Sequence, residues 1–135
     1  MTTITNQTIA ERASHDVGLA AQDVTTPATG DWFSMKGVNR VAAVVVTNAL
    51  EVGDEVTVQL RRAEDDAGEG ADDLGDAVVF TATAAGAQVI IAEAKASDLG
   101  GDFTHVAVQV GGVPDDANDI EASAVLIRAD ESYRP

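Results

Sequence analysis

The apolar residues of this chain come in short runs, and almost every run is cut off by a cluster of Gly, Asp, Asn or Pro. An amphipathic helix needs ten or more residues at a 3.6-residue period, whereas runs of six to nine bounded by turn formers are the length and punctuation of β-strands. The sequence predicts strands near 17–24, 31–36, 40–47, 55–62, 77–83, 87–92, 103–110 and 121–129. Their separators supply residues that tolerate reversal of the chain: TTPATG, KGVN, ALEVGD, AEDDAGEGADDLGD, AAG and GGVPDDAND. Only 93–99 (EAKASDL) has helical propensity, enough for one short helix at most. The expected fold is all-β, an antiparallel β-sandwich of about eight strands and jelly-roll-like.

At 135 residues the chain suits a single domain. Residues 1–15, rich in Thr, Asn and Gln with Ile4 and Ile9 as the large apolar groups, read as an N-terminal arm, and residues 16–135 as the sandwich. Hydrophobic residues make up 45% but aromatics only 4%, so the core is built from small side chains, mostly Val and Ala. Against 8 Lys and Arg stand 23 Asp and Glu, a net charge of -15. Such a chain repels phosphate backbones, so nucleic acid is not an expected partner. At molar salt the Debye length falls to about 3 Å and self-repulsion is largely screened, which points to a protein adapted to high salt. No apolar stretch approaches the roughly 20 residues that span a bilayer as a helix, and no signal peptide or membrane partner is expected. Cysteine is absent, which excludes disulfides and thiolate metal sites.

The alternation in 55–62 is clean, with Val56, Val58 and Leu60 on one face and Glu55, Thr57, Gln59 and Arg61 on the other. In 40–47 and 87–92 both faces are apolar. Either loops cover these segments or they form an interface between copies of the chain; the interface is the expected reading, with Val41, Val44, Val46, Val89, Ile90 and Ile91 in it.

Chemistry is harder to find. Neither His15 nor His105 has a recognisable nucleophile motif to serve, so no catalytic residue and no enzymatic role is expected. The acidic loop 64–76 fails as an EF-hand. Counted from Asp65, its third position is Ala67 and its twelfth is Asp76 where a bidentate Glu belongs. Looser cation binding by Asp65, Asp66, Asp72, Asp73 or Asp76 stays open, beside the reading of a solvated loop. Gly68-x-Gly70 lacks the Lys of a phosphate loop. No cofactor is implied.

Three stretches carry a resemblance: DWFSMKGVNRVAAVVVTNAL, VTVQLRRAEDDAGEGADDLGDAVVF and AVLIRADESYRP. An aromatic strand, a small-residue turn, an apolar strand, then V-x-L-x-x-A-x-D-x-x-G-x-G-A and a final strand ending R-x-D-x-x-Y-x-P make up the pattern. It resembles the small capsid decoration and turret-type structural proteins of tailed phages and haloarchaeal tailed viruses, over roughly residues 30–83 and 124–135. Arg62 stands where that pattern usually has Gln or a neutral residue. The resemblance implies a non-catalytic, β-rich protein that oligomerises as a trimer or pentamer and contacts the major capsid protein on the outside of the virion. Two other classes stay open: a head-tail connector or tail-tube component, and a cellular ligand- or partner-binding β-sandwich.

Overall fold

The computed structural model describes residues 13–116 and 118–129. Ten strands lie among them: β1 (Ala13–Asp23), β2 (Ala28–Thr29), β3 (Phe33–Ser34), β4 (Arg40–Thr47), β5 (Glu55–Ala63), β6 (Asp72–Asp73), β7 (Val78–Thr81), β8 (Val89–Lys95), β9 (His105–Val113) and β10 (Glu121–Ala129). They form two antiparallel sheets. A four-stranded sheet has the order β1-β10-β4-β8, and a six-stranded sheet has β9 and β5 at its centre, with β2 and β3 along the free side of β9 and β6 and β7 along that of β5.

Counting β2 with β3 as one broken strand, and β6 with β7 as another, leaves the eight expected from the apolar runs. They pair first with last and so inward: β1 with β10, β2 and β3 with β9, β4 with β8, β5 with β6 and β7. A long hairpin rolled into two sheets has this nested pairing, which is the jelly roll. It places distant segments side by side, as in the unbroken register from Ala122↔Thr47 to Ala129↔Arg40.

Period-two alternation sets the core. Val56, Val58 and Leu60 of β5 meet Val106, Val108 and Val110 of β9 on the inner face of one sheet, and Val41, Ala43, Val45, Ala124 and Leu126 supply the inner face of the other, all buried. Most of these side chains are Val or Ala.

Some boundaries differ from the sequence expectation. β1 begins at Ala13, so 13–15 belong to the sandwich and not to an arm, while 1–12, with Ile4 and Ile9, lie outside the described residues. The expected 31–36 strand is split, with β2 displaced to its N-terminal side and a break around Gly30, whose N–H donates to the Val108 carbonyl at 2.9 Å. The 93–99 segment continues β8 to Lys95 and closes with a 3-10 turn at Ala96–Asp98, because Ala94 still packs against the core. The Asp130–Pro135 part of the terminal pattern is not among the described residues.

Candidate assembly surface

The outer face of the four-stranded sheet follows from the phase of its strands. In β4, Arg40, Ala42, Val44 and Val46 point away from the core; in β8, Val89, Ile91, Glu93 and Lys95 do so. The registers align Val17, Val125, Val44 and Ile91 in one row across all four strands. A second row holds Ser123, Val46 and Val89. Five members are unusually exposed for their type: Val17 65%, Val89 61%, Ile91 52%, Val46 45% and Val125 41%. A shallow groove of about 170 Å³ between Val17, Ala20, Val44, Val46 and Val125 runs along this face. Val41 and Ile90, expected at the same interface, are instead in the core at 2% and 5% exposure, because each is one residue out of phase with the outward set.

Charge gathers toward the ends of this face, with Glu93 in the row next to the Arg40 and Lys95 end. Arg40 pairs in register with Lys95 at one end, and Glu121 with Asp23 at the other. The outer face of the six-stranded sheet is different: Thr57, Gln59, Arg61 and Gln109 line its centre. One sheet is thus polar at the centre of its outside, with exposed Val79 and Val113 toward its margin, and the other has apolar rows on both faces.

The acidic loop between β5 and β7 is on the surface but tied down. Leu74 is buried in the core, and its N–H donates to the Leu60 carbonyl at 2.9 Å. Asp65 accepts the N–H groups of Ala67 and Glu69, each at 3.0 Å. Arg61 pairs with Asp73, and Arg62 with Asp72 at 3.0 Å. The Arg62 guanidinium, first, and the Asp73 N–H beside it hold the Asp72 carboxyl below its usual range. Arg62 also donates to the Leu99 carbonyl at 2.5 Å and stacks 4.1 Å from the Phe103 ring centroid. The structure therefore does not gather the cation candidates Asp65, Asp66, Asp72, Asp73 and Asp76. Among the described residues, no three His, Asp or Glu side chains converge on one point.

Sequence reasoning missed Asp54. It is fully buried at the start of β5 and accepts from the Asp115 N–H, the Glu51 N–H and the Asn118 amide, all at 2.9 Å. The Asp115 N–H, then that of Glu51, and the Asn118 amide hold its carboxyl below the usual range, with burial opposing them. Its role is to lock the β4–β5 turn to the β9–β10 loop. Arg128 does a similar job elsewhere, donating to the Ser34 carbonyl at 2.6 Å and to Asp16 at 2.7 Å, with its guanidinium 5.3 Å from the Phe33 ring. His105 contacts the Thr104 hydroxyl at 2.8 Å through Nδ1, and His15 is exposed on β1.

No family model matches the sequence, and no curated protein matches it. Solved structures do match in shape. A chain from infectious bursal disease virus, Gx strain, superposes with a TM-score of 0.54 at 10% identity, over 92% of this chain and 33% of that one. The subviral particle of VP2 from the same virus gives a TM-score of 0.50 at 7% identity, over 88% and 32%. A carbohydrate-binding module specific for non-crystalline cellulose gives 0.49 at 10% identity, over 82% and 72%. The chain spans about a third of the length of the viral chains it matches. At these identities the likeness shows the fold alone, a β-sandwich.

Proposed function

We propose that this chain is a non-enzymatic structural subunit of a virus particle, a decoration or turret protein on the capsid exterior of a halophilic tailed virus. The observation that carries the reading is the outer face of the four-stranded sheet: exposed Val and Ile in rows across all its strands, on a chain of net charge -15. An isolated monomer gains nothing from exposing Val and Ile there, whereas an assembling subunit buries them. The stretches that resemble small capsid decoration proteins support the reading, and so does a sandwich shaped like chains from a virus particle. The major capsid protein and further copies of this chain are the proposed partners.

Mass analysis and cryo-EM of purified virions test the proposal. The expected result is the protein in many copies on the outer surface of the shell. Its absence from particles, or a position inside the shell or along the tail tube, would overturn it.

A further inference from the structure

We infer that the outer face of the four-stranded sheet packs against the same face of a second copy, about a two-fold axis lying across the strands, so that strands of the two copies run antiparallel. The inference rests on reading this face as an assembly surface and names its occupant. Two observations select a second copy in this orientation.

The first is the charge at the two ends. Arg40 and Lys95, with Glu93 one outward position further in, leave one end of the face net basic, and Glu121 and Asp23 make the other acidic, the two separated by the length of β10. A two-fold axis parallel to the strands would set basic end on basic end and acidic end on acidic end. An axis across the strands reverses one copy, so each basic end lies over the partner's acidic end. The row of Val17, Val125, Val44 and Ile91 stacks on itself in this arrangement, as a self-complementary patch must. Arg40 then lies one strand away from the partner's Glu121, within side-chain reach.

The second is area. Four strands spaced about 4.8 Å apart and 7 to 11 residues long, at about 3.3 Å per residue, give a face of roughly 19 by 30 Å. Two such faces bury on the order of 1,100 Å² in total, close to the lower bound for a specific interface. An interface this small holds only when little opposes it, and two copies of net charge -15 do oppose it. Association should therefore strengthen as salt rises and the bulk repulsion is screened, while contact pairs at the ends persist. A two-fold contact closes at two copies, so this face builds a dimer and not the expected trimer or pentamer.

Analytical ultracentrifugation of the purified chain across a salt series provides the test. The wild type is expected to dimerise increasingly as NaCl is raised. Ile91→Asp, on an exposed position, should be monomeric with an unchanged circular dichroism spectrum. Arg40→Glu and Glu121→Arg should each weaken the dimer roughly tenfold, and the double reversal should restore it. A wild type that stays monomeric at every salt concentration overturns the inference, and leaves the virion reading to stand with the capsid protein on this face. A dimer indifferent to Ile91→Asp overturns the choice of face. A double reversal that is additive overturns the antiparallel arrangement.

Discussion

Asp54 is bound by groups from both neighbouring loops, and its removal should be felt in each. Asp54→Ala would leave the Asp115 and Glu51 N–H groups and the Asn118 amide without an acceptor in a buried place, at a cost of about 2–4 kcal/mol. Urea denaturation measures it directly. The pH dependence follows from the lowered carboxyl pKa. As pH falls, the unfolded chain takes up its proton first, near pH 4, so the stability Asp54 contributes is complete above that value. It is lost progressively down to the lower folded pKa. Asp54→Asn should therefore be less stable at neutral pH and show a shallower loss between pH 5 and pH 2 than the wild type, by about the contribution of this one group. Gly30 is constrained by space instead. A Cβ there would sit 1.5 Å from the Gly18 carbonyl oxygen, backbone against backbone, where nothing can rotate aside. Gly30→Ala should cost about 3 kcal/mol or more, or prevent folding. Gly37→Ala, at a φ of +79° but in open space, should cost only about 1 kcal/mol.

At the scale of elements, the loop from β5 to β7 shows which contacts hold a segment and which merely decorate it. Asp72 and Asp73 are more than half exposed in their pairs with Arg62 and Arg61, so Asp72→Asn with Asp73→Asn should leave the denaturation midpoint nearly unchanged. Leu74→Ala empties a core position at 3% exposure and should cost about 2–4 kcal/mol. Guanidinium denaturation of both variants compares them. The strands themselves were legible because alternation and turn chemistry agree in this chain: β4 and β10 fall where their apolar runs end. Phase was harder. Over 41–46 and 89–92 every position is small or apolar, so period two alone does not say which face is inside, and Val41 and Ile90 lie on the inner one. The signal was in the flanks, since Arg40 shares its phase with Val44 and Val46, and Glu93 and Lys95 share theirs with Val89 and Ile91. The Asp54 clamp had no comparable signal. It is one acid among 23, and two of its partners lie 61 and 64 residues away in sequence. Only the nested pairing of the strands brings them together.

For the whole molecule the controlling quantity is charge density. Arg61, Arg62 and Arg128 are each committed to an acid within the chain, and even if every base took one acid, a net charge of -15 would remain. At about 0.15 M salt the Debye length is near 8 Å, so repulsion between surface acids within that distance acts against the compact state. At molar salt it shrinks to about 3 Å and only groups in contact still interact. The melting temperature should therefore rise steeply from dilute buffer and then flatten, as screening saturates. Salting-out of apolar surface also stabilises folded chains, but it grows with concentration and is stronger for sulfate than for chloride. Scanning calorimetry in NaCl and Na₂SO₄ at matched ionic strength separates the two: coincidence in the early rise marks screening. Replacing the exposed Asp66, Asp76, Asp102 and Asp119 with Asn removes four excess charges while leaving the core and the Asp54 clamp untouched, and should shallow that early rise. A melting temperature equal in dilute and molar salt, or an early rise unmoved by the four substitutions, would refute the view that this chain depends on high salt to stay folded.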